Sequence, residues 1–140
     1  MSEGIIYRGS YSSVSTYNSE EIVGAYKDGI FFRGNYSSAG AYDSEDIVGA
    51  CHEGIVYHGS YSSVSTYGGE DIVGAYKDGI IYRGSFSSAS SYESEDIVGA
   101  YKNGIVYHGS YSGAYDSEDI VGAYGGSSDG GAGAALLLLL

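Results

Sequence analysis

Ile22-Val23-Gly24-Ala25-Tyr26-Lys27-Asp28-Gly29-Ile30-Phe31-Phe32-Arg33-Gly34 reads as two short β-strands joined by a tight turn at Lys27-Asp28-Gly29. An Asp-Gly pair between two runs of apolar β-formers is a strong local hairpin signal. Gly29 supplies the positive φ such a loop needs without steric cost. The same unit returns at 47–59, 72–84 and 97–109. A fifth copy is split. Its first strand, 120–124, ends the patterned chain, and its second, 4–9, begins it.

The repeats start at Gly4, Gly29, Gly54, Gly79 and Gly104, a spacing of 25, and the fifth is two residues shorter between Tyr111 and Tyr115. Fixed-period self-similarity marks a repeat fold. Gly and Ser occur 24 times each in 140 residues, a composition that taken alone suggests disorder. The 17 tyrosines argue otherwise, because they recur at constant offsets. Proline is absent, so nothing blocks strand pairing. The Ser-rich middle of each repeat reads as a connection, with a third short strand over 11–17 as a further expectation. No segment reads as a helix, since a Gly interrupts every Ile-Val run.

The tyrosines fall into four columns. One holds Tyr7, Phe32, Tyr57, Tyr82 and Tyr107. A second holds Tyr11, Tyr36, Tyr61, Phe86 and Tyr111, and a third Tyr17, Tyr42, Tyr67, Tyr92 and Tyr115. The last holds Tyr26, Tyr76, Tyr101 and Tyr124, with Cys51 as the exception. Stacked or ring-arranged copies are expected to bring each column together as an aromatic ladder, each pair adding about 0.5–1.5 kcal/mol beyond burial. A three-residue loop at Lys27-Asp28-Gly29 sets Tyr26 opposite Ile30, Gly24 opposite Phe32 and Val23 opposite Arg33. Ile22, Gly24, Tyr26, Ile30 and Phe32 then form the core face. Arg8, Arg33, His58, Arg83 and His108 share the outer one.

Candidate chemistry is thin. Cys51, His52 and His58 are the nearest approach to a metal site, but the pairing places them on different faces, so no zinc is expected. Acidic clusters such as Asp43-Ser-Glu-Asp46 and Asp116-Ser-Glu-Asp119 lack the ligand spacing of a calcium loop and read as turns entering a strand. There is no Gly-x-Ser-x-Gly elbow. Catalysis needs a unique constellation, whereas each polar position here is repeated about five times. No enzyme activity and no cofactor are expected. A net charge of −12 with six Lys and Arg argues against a nucleic-acid partner.

The beginning shows no basic n-region or apolar h-region, so a cytoplasmic location is the default expectation. One cysteine excludes an intrachain disulfide framework. Residues 125–140 read as a separate Gly-rich tail. Its five terminal leucines are too short a run to span a membrane, which takes about 20 apolar residues, and must be buried or cause association.

The alternation of Gly-x-Ile-Tyr-x-Gly with Ile-Val-Gly-x-Tyr over 4–124 resembles a set of uncharacterised bacterial tandem hairpin-repeat proteins. That resemblance implies a β-hairpin array without an assigned activity. The fold expected is all-β, with five 25-residue hairpin repeats in 1–124. The terminal strands, through Ile5, Ile6, Ile120 and Val121, complete the fifth hairpin. They do so within the molecule or with the next copy, and a β-solenoid is the alternative. The functional expectation is a structural protein that assembles with itself into filaments or scaffolds. The alternative is a multivalent module binding carbohydrate or another ligand.

Overall fold

The computed structural model of the chain describes residues 3–125 and 131–140. Ten antiparallel strands close into a single barrel: β1 (Glu3–Arg8), β2 (Ile22–Lys27), β3 (Ile30–Arg33), β4 (Ile47–His52), β5 (Ile55–His58), β6 (Ile72–Lys77), β7 (Ile80–Arg83), β8 (Ile97–Lys102), β9 (Ile105–His108) and β10 (Ile120–Tyr124). Each strand pairs with its chain neighbour, and β1 closes the ring on β10 with Ile6 opposite Tyr124 and Arg8 opposite Gly122. The closure copies a hairpin. Gly9 N donates to Val121 O at 3.0 Å, just as Gly34 N donates to Val23 O at 3.1 Å. All strands belong to one closed sheet, so the solenoid alternative falls away.

The hairpin loops hold two residues, not three. Lys27 pairs with Ile30, Tyr26 with Phe31, Ala25 with Phe32 and Gly24 with Arg33. Both loop residues take positive φ, Asp28 at +51° and Gly29 at +87°, which is the type I′ pattern. The later loops repeat it, with Gly54, Gly79 and Gly104 at +84°, +85° and +83°. The shorter loop shifts the expected pairing by one residue and exchanges the two faces of β3. Phe31 points inward, where it is 1% exposed, and Phe32 outward. On β2 a bulge at Val23 turns both Val23 and Gly24 toward the interior.

The interior is therefore built from Ile6, Tyr26, Phe31, Val56, Tyr76, Ile81, Val106 and Tyr124, closed around the C-terminal segment. Residues 131–138 form a helix, α1 (Gly131–Leu138), correcting the expectation that no helix is present. Ala and Leu are strong helix formers, and inside a barrel the segment has no free sheet edge to pair with. An eight-residue helix is marginal alone, so the packing around it supplies its stability. Gly131 and Gly133 sit where space is tight. A Cβ on the first would lie 2.9 Å from Cys51 Sγ, and on the second 3.2 Å from both Tyr101 Cβ and Tyr124 Cε1. The expected tail is thus, over 131–140, part of the barrel's own core; residues 126–130 lie outside the described residues.

Outside, each Ser-rich connection folds back over the sheet through short 3-10 turns. Val64 and Tyr67, for example, pack on Ile30, Ile47 and Ala50. The fold thus has three layers: helix, barrel and connections.

Candidate functional site

The outer belt begins with one tyrosine per connection. Tyr42 is buried, and its hydroxyl donates to Tyr36 O and Gly34 O, both at 3.0 Å. Tyr17, Tyr67 and Tyr92 close their loops in the same way onto Tyr11 O, Tyr61 O and Phe86 O. In the shortened fifth loop Tyr115 reaches Gly109 O at 2.8 Å. Burial pushes each of these five phenols above its usual pKa of 10.0, opposed by the hydrogen bond to the backbone and reinforced by a nearby carboxylate such as Asp46.

Two rings flank each buried tyrosine. Phe32 lies tilted against Tyr42 at 5.6 Å, and Tyr36 meets it edge-on at 5.1 Å. The other repeats carry the same triad, from Tyr7, Tyr11 and Tyr17 to Tyr107, Tyr111 and Tyr115. Three of the expected columns therefore meet within a repeat instead of running between repeats. The fourth column does gather at the centre: Tyr26 and Tyr76 are buried, and the Tyr76 and Tyr101 rings stand 6.2 Å apart. The outermost ring of each triad stays half-exposed, between 42% for Tyr11 and 54% for Tyr111.

Grooves run between a hairpin and a neighbouring connection at two places on the belt. One example, of about 360 Å³, is lined by Lys27, Asp28, Ile30, Phe32 and Ser62. Its counterpart, of about 550 Å³, has Lys102, Asn103, Ile105, Tyr107 and Ser12. These are the same positions moved by multiples of 25, so the second groove crosses the β1–β10 closure without losing its form. The walls offer hydroxyls, one ammonium, a carboxylate or amide, and a ring face. The acidic stretch at the rim has a structural task. Asp43 N donates to Asp46 Oδ2 at 2.8 Å, and Glu21, Asp71, Asp96 and Asp119 cap their turns equivalently. Among the described residues no group of three or more His, Cys, Asp or Glu side chains is placed to hold a metal ion.

At the opposite extreme of exposure lies the lumen. Five glycines, Gly24, Gly49, Gly74, Gly99 and Gly122, face five leucines, Leu140, Leu139, Leu138, Leu137 and Leu136, one to one. A Cβ on Gly74 would also strike Tyr82 O across the strand pair. Gly24 lies opposite Arg33, not an aromatic ring, and its bareness makes room for Leu140. Ring positions around a five-repeat barrel are 72° apart, whereas an α-helix advances about 100° per residue. The last turn widens accordingly: Leu140 N donates to Ala135 O, five residues back, at 2.9 Å. Arg33 Nη2 donates to Leu139 O at 2.6 Å and Arg83 Nη2 to Leu137 O at 3.4 Å. The Arg8, Arg33, His58, Arg83 and His108 positions thus ring the barrel mouth, where arginines hold the helix C-terminus, and do not form an outer stripe.

The remaining expected residues are readily placed. Ile6 and Val121 face the core, whereas Ile5 and Ile120 pack under the connections. Cys51 lies on the inner face against the core, and His52 sits at the turn, its Nε2 3.7 Å from Glu53 Oε2 at the surface. The Gly–Leu pairing and the arginine cap escaped sequence reading. The available signal was numerical: five leucines, five interrupted Ile-Val-Gly runs. No described helix is long and apolar enough to cross a membrane. Comparison with protein-family models, curated proteins and solved structures finds no match.

Proposed function

We propose that the protein is a non-enzymatic repeat scaffold that binds a multivalent, hydroxyl-rich partner, such as a carbohydrate, through its outer belt. The observation that carries this reading is the repetition of one half-exposed ring in every repeat around the barrel, with polar grooves of like lining at the 27–30 and 102–105 hairpins. A ring face covers the apolar side of a sugar, while Ser, Asp and Lys side chains meet its hydroxyls; neither needs a catalytic residue. Single grooves of this openness bind weakly, and repetition raises avidity when several engage at once. A glycan array followed by calorimetry tests it. The expected result is retention of a polymeric glycan, with a monovalent fragment titrating toward five sites per chain. Tyr36→Ala should remove about one fifth of that capacity. A blank array, or one site per chain, overturns the reading.

Assembly between copies is the second reading. The same belt favours it, because five half-exposed aromatic rings also make a contact surface for another molecule. Electron microscopy of purified protein separates the two: fibres support assembly, and discrete particles of single-chain size count against it. Assembly by terminal strand exchange would in addition require β1 to leave β10.

A further inference from the structure

We propose that the groove beside the shortened fifth connection is a distinct subsite for a sugar bearing one anionic group, a carboxylate or a sulfate ester, held by Lys102. This deepens the belt reading and rests on it, since the ligand is again a sugar and this groove adds selection for charge. Lys102 and Tyr107 line the groove of about 550 Å³ and also a second cavity of about 180 Å³, so the two adjoin at this ammonium and this ring. Gly113 and Tyr115 of the fifth connection complete the second cavity. That connection is two residues shorter than the others, and over 111–115 it lacks the 3-10 turn that they carry at 14–16, 39–41, 64–66 and 89–91. A Cβ on Gly113 would meet nothing within 4 Å, so the wall is open there. Tyr111 is accordingly the most exposed ring of its column, at 54%.

Charge separates this groove from its counterpart. Lys27 shares its groove with Asp28 and Asp43, two carboxylates against one ammonium. No described residue lining either cavity at Lys102 is a carboxylate. Asn103 fills the loop position that Asp28, Glu53 and Asp78 hold elsewhere, and Asp116, the equivalent of Asp43, lines neither cavity. Lys102 is exposed, and no described carboxylate pairs with it. Its ammonium has three donors and no acceptor, which suits an anion. The Ser13 and Ser15 hydroxyls, 3.0 Å apart on the wall, and the Asn103 amide suit the hydroxyls of the same sugar. The net charge of −12 opposes an anion at long range. At an ionic strength of about 0.15 M, exposed charges beyond about 8 Å are largely screened, and the local ammonium decides.

Nuclear magnetic resonance titration of the full chain tests this, with glucose, glucuronate, glucose 6-sulfate and inorganic sulfate as probes and the Asn103 and Gly113 amides as reporters. Glucuronate, glucose 6-sulfate or both should bind about three- to fivefold tighter than glucose, the gain of one exposed ion pair. Inorganic sulfate, which has no ring, should bind more weakly than either. The Asp28 and Gly29 amides should show no such preference. Lys102→Gln should bring the ratio to about one, the loss of that single pair. Asn103→Asp should lower it, and the turn accepts the change because Asp28 and Asp78 hold the same left-handed φ. Both residues are exposed, so amide spectra unchanged away from the groove show that the variants are folded. A preference that survives Lys102→Gln, an equal preference at the Lys27 hairpin, or inorganic sulfate binding as tightly as glucose 6-sulfate overturns the proposal. Glucose and both acids bound alike at this groove would overturn charge selection and leave the belt reading standing, whereas no sugar bound at either groove overturns both.

Discussion

Glu53 holds φ at +52°, in the left-handed region that the equivalent turns fill with Asp28, Asp78 and Asn103. Asp and Asn tolerate that region because their short side chains bond locally, and a Glu does so less well. Glu53→Asn should therefore stabilise the protein by about 0.5–1 kcal/mol, read as a rise in melting temperature of about 2–4 °C. A fall in melting temperature would show that Glu53 is held by something other than turn geometry. The same residues explain one limit of the sequence. Asp-Gly announces a hairpin, but Asp28 is acceptable both as a left-handed turn residue and as the middle of a longer loop. One residue of loop length decides which side of β3 faces inward. Phe31 and Phe32 could not arbitrate, since both are apolar and aromatic.

Among the elements, the connections were read as Ser-rich loops with a short strand expected over 11–17, yet that stretch holds a 3-10 turn and no strand, and each connection is a folded layer pinned by one tyrosine. Tyr42→Phe removes hydrogen bonds to Tyr36 O and Gly34 O and should cost about 1 kcal/mol at pH 7. The pH dependence follows from the raised pKa, caused first by burial. The unfolded chain loses its phenolic proton near pH 10 while the folded protein keeps it, so the unfolded state binds fewer protons there. Stability is then full below pH 10 and declines as pH climbs from 10 toward the folded-state value. Urea denaturation should show the gap between parent and Tyr42→Phe narrowing from pH 7 to pH 11; a constant gap would place the phenol in solvent. Helix α1 was illegible for a different reason. Gly131 and Gly133 cost about 1 kcal/mol each in a helix, and only the crowding by Cys51, Tyr101 and Tyr124 shows why they are tolerated.

Over the whole molecule, the repeat number and the pairing of the terminal strands were legible because the repeat pattern opens and closes on complementary halves of one hairpin, whereas that pairing alone left open whether one molecule closes or two join. The filling of the barrel was not, since it depends on a segment with no repeat pattern meeting all five repeats together. That dependence predicts a graded response to truncation along the leucine run. Leu136 is 2% exposed and Leu139 9%, whereas Leu137, Leu138 and Leu140 are only partly buried. Leu136→Ala should cost about 2–4 kcal/mol through lost transfer energy and the cavity left against Gly122, which has no side chain to fill it. Leu139→Ala should follow closely, and the other three should cost about 1–2 kcal/mol each. Every variant should leave the ladder between β1 and β10 intact, so far-ultraviolet circular dichroism stays constant while the melting temperature falls by about 3–4 °C per kcal/mol. Five equal and negligible losses would mean that the leucines do not occupy the lumen, and the pairing of five leucines with five glycines would lose its physical meaning.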